Sequence, residues 1–238
     1  MTVYEQLLIV QENDTAADQL HHKRAALPAR SEVAELEATI AAIDAQVAEI
    51  DTRLGELDRS QKRLEDEVSL VEEKISHENA TLYSGNVKAA KELQALQDEI
   101  ESLTRRQRSL EDDELDIMEA REPVDAMKSE QLERRGVAAS RLAEVAEVLA
   151  TEEAEVDGEL AAVLAAREEA VSTIDDEALL REYQRSRTQL GGVAIAKLVG
   201  STCGGCHLML SAVELDKIRK LPSDARVTCE ECGRLLVR

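Results

Sequence analysis

An uninterrupted heptad pattern between residues 33 and 75 restricts the fold of this chain more than any other feature. Its steps alternate between three and four residues without a slip over six heptads, and only one member, Gln61, is polar. The thirteen positions are Val33, Leu36, Ile40, Ile43, Val47, Ile50, Leu54, Leu57, Gln61, Leu64, Val68, Val71 and Ile75. A strict seven-residue repeat of this length predicts a long helix in a left-handed coiled coil.

A second seam of the same period predicts a second long helix. Its members are Leu93, Leu96, Ile100, Leu103, Gln107, Leu110, Glu114 and Ile117, followed by Val124, Ala138, Leu142, Val145 and Leu149. The break between the seams lies at Thr81–Asn86, which predicts an antiparallel hairpin with its tip near residues 82–86. Beyond Glu114 the seam degrades, because Arg121, Lys128 and Arg135 occupy core spacing. A second chain could complete it, so monomer and dimer both stay open.

The register of the hairpin follows if the turn is centred near Ser84. Gln61 then faces Gln107, and a buried layer of two glutamines would fix the pairing of the arms. Before Pro28, a shorter helix at about residues 3–26 is placed beside residues 142–165 by the same register. The helical pattern continues to Gln189.

The same register predicts a basic belt on an otherwise acidic hairpin. It brings two groups of cations face to face: Arg59, Lys62 and Arg63 with Arg105, Arg106 and Arg108. The simpler interpretation is ordinary pairing with neighbouring acids, such as Glu65 and Glu101. The functional interpretation makes Arg105 and Arg106 contacts for an acidic partner or an RNA backbone.

The composition excludes several classes of protein. The 238 residues include no Trp or Phe and three Tyr, and 33% are charged, which is typical of long helices. No apolar run is long enough to span a membrane, and no Gly-rich phosphate-binding loop occurs. We therefore expect a cytoplasmic, non-enzymatic protein without a small-molecule substrate or membrane contact.

The formal net charge of −21 is unevenly distributed. Residues 193–238 hold seven Lys or Arg and five Asp or Glu, a charge of +2, which leaves −23 on residues 1–192. Because the acidic part should repel nucleic acid, such a ligand is expected only at the C-terminal tail or at a local basic patch.

All four cysteines lie in that tail, as two Cys-x-x-Cys pairs: Cys203 with Cys206, and Cys229 with Cys232. Two such pairs form the four-sulfur tetrahedron of a closed structural zinc site, and thiolates favour zinc. We therefore predict one structural Zn²⁺ and no catalytic residue. An iron centre of the rubredoxin type, a redox dithiol and His207 as a substitute ligand are the alternatives.

Short strand and helix patterns surround the cysteine pairs. Strands are predicted at 193–199, 226–229 and 234–237, and a helix at 211–220 with Ser211 as its N-cap. This order predicts a zinc-ribbon domain at residues 193–238 after a helical hairpin at residues 1–190, so the fold class is mainly α with a small β ribbon.

Two functions of different classes fit these elements. The first is an adaptor that binds protein through the ribbon, the hairpin tip, or both. At the tip, Tyr83 either closes the hairpin, which is the simpler interpretation, or binds a partner together with Lys88 and Lys91. The second is nucleic-acid binding through the ribbon, but no aromatic side chain accompanies its cations. The ribbon residues proposed to contact a partner are Lys217, Arg219, Lys220 and Arg234.

The chain resembles a bacterial family of coiled-coil hairpin proteins with a C-terminal four-cysteine zinc ribbon. The tip, Leu-Tyr-Ser-Gly-Asn-Val at residues 82–87 with Lys-Glu-Leu at 91–93, is similar to the family's tip signature. The ending Cys-Glu-Glu-Cys-Gly-Arg-Leu-Leu at residues 229–236 is similar to the C-terminal motif of the family. The resemblance covers essentially the whole chain.

The resemblance implies a non-enzymatic adaptor whose zinc ligands are the four cysteines. Members of the family are associated with an alternative sigma factor, with flagellar or secretion components, and with RNA. The composition of this chain is similar to that of actinobacterial proteins, and actinobacteria generally lack that sigma factor and secretion system. The identity of the partner is therefore not carried over.

Overall fold

The computed structural model describes residues 1–238 and has the predicted architecture: a helical hairpin, a shorter N-terminal helix and a small β ribbon. The helices are α1 (Val3–Ala25), α2 (Pro28–Tyr83), α3 (Ala90–Ser172), α4 (Glu177–Gln189) and α5 (Ala212–Lys220). The strands are β1 (Ile195–Val199), β2 (Thr202–Cys203) and β3 (Leu235–Val237). None of the helices combines the length and apolarity that a bilayer span requires.

The chain divides into two compact units. One comprises Val33–Glu144, and the other comprises Met1–Glu32 together with Val145–Arg238. The zinc ribbon therefore belongs to the same unit as α1, α4 and the base of the hairpin.

The heptad seams form the interior of the unit at Val33–Glu144. All thirteen seam positions of α2 are buried or half-buried, whereas most of the residues between them are exposed. On α3, Leu110, Val124 and Ala138 are buried at the matching spacing. The coiled-coil assignment is confirmed, because only a 3–4 period places these side chains on one face.

The predicted register of the two arms is wrong. Gln107 donates to Glu72 at 3.1 Å, eleven residues beyond Gln61 and about three helical turns away. Gln61 donates to Glu65 on its own helix, so no layer of two glutamines exists. The cause is the turn: α2 ends at Tyr83, but α3 begins only at Ala90. The non-helical residues between them shift the pairing toward higher residue numbers on α3, and the Gln107–Glu72 and Lys128–Asp51 contacts place its centre at the Ala89–Ala90 peptide.

This register explains the basic residues in the degraded part of the return seam. Lys128 approaches Asp51 at 2.7 Å and Arg135 approaches Asp44 at 2.6 Å. Arg121 pairs with Asp58 one heptad before them. The three pairs form a ladder at seven-residue spacing, so the degraded seam is completed by the other arm of the same chain.

Charge reversal at the middle pair tests the ladder. Lys128→Asp should lower the free energy of unfolding by about 1 kcal/mol through repulsion of Asp51, and adding Asp51→Lys should restore most of that loss. Urea unfolding of the single and double variants measures the coupling. Glu37→Lys, two heptads away on the same helix face, is the matched control. Equal rescue by Glu37→Lys would contradict the ladder.

In the other unit, α1 lies further along α3 than predicted. Arg24 pairs with Asp157 at 2.8 Å and Asp14 with Arg167 at 2.6 Å, so α1 runs past residues 157–167 rather than starting beside residue 165. This displacement follows from the same error in the register. The N-terminus of α1 is fixed by a capping box between Thr2 and Glu5.

The long C-terminal helix is broken where the sequence predicted continuity. α3 ends at Ser172, and α4 begins after Asp176, whose side chain accepts from Leu179 N at 3.0 Å. Ile174 lies in this break and is buried in the same apolar cluster as Leu179, so the break places a side chain in the core. The end of α4 at Gln189, followed by Gly191 and Gly192 with positive φ, agrees with the prediction.

The ribbon has a three-stranded sheet of order β2–β1–β3, in which β1 pairs antiparallel with β2 and parallel with β3. The predicted strand at 193–199 and the helix capped by Ser211 are confirmed. The predicted strand at 226–229 is reduced to a single bridge at Thr228, and the short β2 had not been predicted.

Candidate metal centre and surrounding surfaces

The four cysteine sulfurs form one cluster, all within 4.8 Å of one another. Cys203 Sγ lies 3.9 Å from Cys232 Sγ, and Cys206 Sγ lies 4.0 Å from Cys229 Sγ. A tetrahedral zinc ion with Zn–S bonds of about 2.3 Å requires sulfurs about 3.8 Å apart. The four cysteines therefore fit one structural Zn²⁺, and His207 is not part of the cluster.

Two of the thiols differ strongly in their readiness to ionise. Burial raises the pKa of Cys229 to about 12. Burial acts in the same direction on Cys232, but hydrogen bonds from the backbone N–H and guanidinium of Arg234 help to lower the pKa of that thiol to about 7. Because zinc binds thiolates, binding at neutral pH must displace protons from the buried thiols.

The first cysteine pair requires its two glycines. A Cβ atom at Gly205 would lie 2.5 Å from Cδ of Arg234, and one at Gly204 would lie 2.8 Å from the backbone oxygen of Lys197. Gly205 N also approaches Cys203 Sγ at 3.4 Å. Side chains at these positions would push the two halves of the ribbon apart.

Arg234 joins the second cysteine pair to the helical base. Its guanidinium donates to the carbonyl oxygens of Val193 and Leu190, each at 2.8 Å. Leu190 is the C-cap of α4, so the cation satisfies an end carbonyl of that helix and complements its dipole. The structure thus gives Arg234 a role within the fold; its role in binding a partner stays a prediction.

Gln11, which the sequence analysis did not single out, attaches the ribbon to α1. Its Oε1 accepts from Ala194 N–H at 2.7 Å, and its Nε2 donates to Gly192 O at 2.9 Å. Both contacts lie on the segment that enters β1, and Gln11 is buried.

Asp14, which sequence analysis also missed, is the centre of a buried polar network. Its side chain is 7% exposed and accepts from Tyr183 Oη and from Arg167 Nε, each at 2.6 Å. Burial and the neighbouring Asp14 raise the pKa of Tyr183 well above its usual value. The spacing of α1 could have indicated that both residues are buried, because Gln11 and Asp14 follow the apolar Leu7 at steps of four and three.

The apolar core beneath this network is shared between helices and ribbon. Leu7 and Val10 of α1 cluster with Tyr183 of α4 and with Ile195 and Leu235 of the ribbon. A second cluster lies within the ribbon and includes Cys203, Cys229, Leu210 and Ile218. The zinc site thus lies beside a core that continues into the helical base.

At the hairpin tip, Tyr83 is 82% exposed. The interpretation that this tyrosine closes the hairpin is therefore wrong, because its ring packs against no core. Lys88 and Lys91 are exposed and make no ion pair. Gly85 turns the chain with φ of +73°, a conformation that favours glycine.

The predicted basic belt does not form in the observed register. Arg105 pairs with Glu101 at 2.8 Å and Arg106 with Glu67 at 3.1 Å. Lys62 pairs with its helical neighbours Glu65 and Asp66. Pairing with neighbouring acids is thus confirmed for Lys62, Arg105 and Arg106, and a role of Arg105 and Arg106 in binding stays a prediction.

Six of the seven ribbon cations already have partners within the chain. Lys197, Lys217, Lys220 and Arg226 approach the carboxylates of Glu12, Glu230, Asp216 and Glu182, in that order. Arg234 and Arg238 donate to backbone carbonyls. Arg219 alone has no such partner among the seven.

Two family models match the chain, one for each predicted part. Residues 10–191 match the CT398-like coiled coil hairpin domain, and residues 202–236 match the C4-type zinc ribbon domain. Neither description is that of a catalytic domain.

Relatives and solved structures agree with these matches. An uncharacterized protein of Mycobacterium tuberculosis is 31% identical over 234 residues, which are 98% of this chain and 94% of that protein. A solved structure from Mycobacterium smegmatis has a TM-score of 0.88 at 28% identity and covers both chains fully. CT398 from Chlamydia trachomatis, with a TM-score of 0.75 at 22% identity, shares the fold over 99% of this chain and 97% of its own.

Proposed function

The chain belongs to the CT398-like coiled coil hairpin family with a C4-type zinc ribbon, and on this premise we propose that it is a non-enzymatic adaptor that binds protein partners. The observation that carries the proposal is the exposed tyrosine at the hairpin tip. Tyr83 is 82% exposed, so its ring is not stabilised by packing within its own chain. Aromatic residues are frequent anchors of protein interfaces.

The surroundings of Tyr83 indicate the character of its partner. The segment from Asn79 to Lys91 contains no acid, although the whole chain has 50 acidic and 29 basic residues. Lys88 and Lys91 are free to meet carboxylates. An acidic partner surface with a pocket for the tyrosine ring fits this tip.

The closed cysteine cluster supports a structural role for zinc. A site that uses four protein ligands has no open position for a substrate or a reactive water. The metal then serves to hold the ribbon in shape beside α1 and α4.

Nucleic-acid binding through the ribbon is the alternative, and no observation favours it. The internal partners of six ribbon cations reduce the positive charge that a phosphate backbone would meet. Lys217 and Lys220 are nevertheless exposed and could exchange partners, so they stay candidate contacts for an acidic protein.

Substitution at the tip tests the adaptor proposal. Tyr83→Ala should reduce capture of specific partners from native cells at least tenfold, on the order of a hot-spot loss, without changing the melting temperature. Affinity capture with quantitative mass spectrometry measures the loss. Tyr83→Phe keeps the ring and should retain most of the capture.

Two results would contradict the adaptor proposal. Equal capture by the wild type and by Tyr83→Ala would show that the hairpin tip does not bind the partner. A wild-type chain that captures no protein above a tag-only control would count against the adaptor function as a whole.

A further inference from the structure

One face of the ribbon sheet is covered by α1 at one end and uncovered at the other. Ile195, Lys197 and Val199 alternate onto this face of β1. Ile195 is buried in the core shared with α1, and Lys197 Nζ bonds Glu12 Oε1 of α1 at 2.9 Å. Val199, the last residue of the row, is 66% exposed.

The uncovered end continues across the neighbouring strands. Val199 pairs with Thr202, and Thr202 forms a bridge with Met209, so the three residues form a cross-strand row on one face. Met209 is 74% exposed. We call the uncovered surface of Val199, Thr202 and Met209 the sheet shelf.

The sheet shelf adjoins a groove beside α1. The groove has a volume of about 580 Å³, and its apolar wall includes Leu8 and Ile9 of α1 together with Val199. The charged side chains that line it all have partners within the chain: Lys197 bonds Glu12, Glu5 accepts from Thr2 N–H, and Arg238 donates to Ile218 O and Leu221 O.

The shelf also lies in the longest uncharged run of the chain. Residues 198–213 contain no Asp, Glu, Lys or Arg, although a third of the chain is charged. A charged group placed against Val199, Thr202 and Met209 themselves would lose hydration without gaining an ion pair from them, so the sheet shelf favours an apolar occupant. Nucleic acid does not meet this requirement.

We propose that the sheet shelf and its groove bind the apolar face of an amphipathic helix from a partner protein, which would lie beside α1. The proposal rests on the adaptor function and specifies a second docking surface for it. α1 covers the adjoining part of the same sheet face with Leu7 and Val10, which is the packing that such a helix would extend. A second copy of this chain is disfavoured, because each copy carries a net charge of −21.

The test uses a defined probe and the full-length, zinc-loaded chain. A display library of random twelve-residue peptides should yield sequences with apolar residues at helical spacing. Addition of a selected synthetic peptide should shift the methyl NMR signals of Met1, which lines the groove, and of Met209 on the sheet shelf. The signals of the other two methionines, Met118 and Met127 on α3, should not move.

Matched variants locate the binding surface. Val199→Glu and Met209→Glu should each weaken peptide binding at least about tenfold while retaining one zinc per chain. Val137→Glu is the control, because Val137 on α3 is 68% exposed and lies in the other compact unit. Its peptide affinity should equal that of the wild type.

Several outcomes would overturn the inference: no enriched peptide, equal binding by Val199→Glu, or movement of the Met209 signal by an RNA or DNA oligonucleotide instead. If the wild type self-associates and Val199→Glu abolishes this self-association, the occupant of the groove is a second copy of the chain and not a partner protein. Since capture through Tyr83 is measured separately, failure at the shelf leaves the adaptor proposal intact.

Discussion

Removal of zinc is expected to unfold the ribbon and to loosen α1 and α4, while the arms at residues 33–144 stay helical. The reason is the shared core: Ile195 and Leu235 pack with Leu7 and Tyr183, so loss of the ribbon exposes apolar side chains of the base. A domain that is too small to form a stable hydrophobic core of its own unfolds when its structural metal ion is removed.

Hydrogen exchange after chelation measures this effect segment by segment. Protection should disappear across residues 193–238, fall in α1 and α4, and stay unchanged at Val33–Glu144, the other compact unit. Far-UV circular dichroism should fall only slightly, because α5 contributes nine helical residues. About one zinc per chain should be released, as four ligands imply.

Cys229→Ser should reproduce the effect of the chelator, since it removes a buried ligand. His207→Asn is the matched control: His207 lies next to Cys206 but outside the sulfur cluster, and asparagine tolerates the φ of 60° at this position. This control should keep both the zinc and the protection. Unchanged exchange in α1 after zinc loss would contradict the coupling between ribbon and base.

The second large effect is expected from Asp14→Ala, which should lower the free energy of unfolding by about 3–5 kcal/mol. The substitution leaves the Tyr183 hydroxyl and the Arg167 guanidinium without the carboxylate that both now contact at 2.6 Å. The loss of one partner from a buried network costs more than the network contributes in total, because the remaining polar groups stay desolvated.

Two comparisons make the Asp14 result specific. Asp18→Ala removes another carboxylate one turn along α1, but Asp18 is 53% exposed, and we expect a loss of under about 1 kcal/mol. Tyr183→Phe removes one hydrogen bond and should cost about 1 kcal/mol. Urea unfolding of the zinc-loaded chain measures all three, and equal losses for Asp14→Ala and Asp18→Ala would refute the buried network.

The helical part shows where periodicity is informative and where it is not. The 3–4 spacing located the seams of α2 and α3, because the side chains that can share one helix face depend only on helical geometry. The pairing of the two arms depends on the length of non-helical chain between them. Six residues, Ser84 to Ala89, separate the helices, so a turn centred on Ser84 misplaced every cross-arm contact.

The residues of the candidate site likewise fall into those that local sequence predicts and those that it does not. The four zinc ligands follow from residue type and local spacing, and the structure clusters their sulfurs as predicted. Gln11 and Asp14 escaped prediction because their partners, Ala194 and Tyr183, are more than 160 residues away. No local pattern encodes such contacts.

The sequence by itself determined the two long helices, the zinc ligands and the charge difference between the helical part and the tail, because these depend on period, residue type and counting. Only the tertiary structure decided the register of the arms, the exposure of Tyr83 and the attachment of the ribbon to α1 and α4. These features depend on how chain segments far apart in sequence pack together. The free energy that selects that packing comes from contacts that no single segment contains.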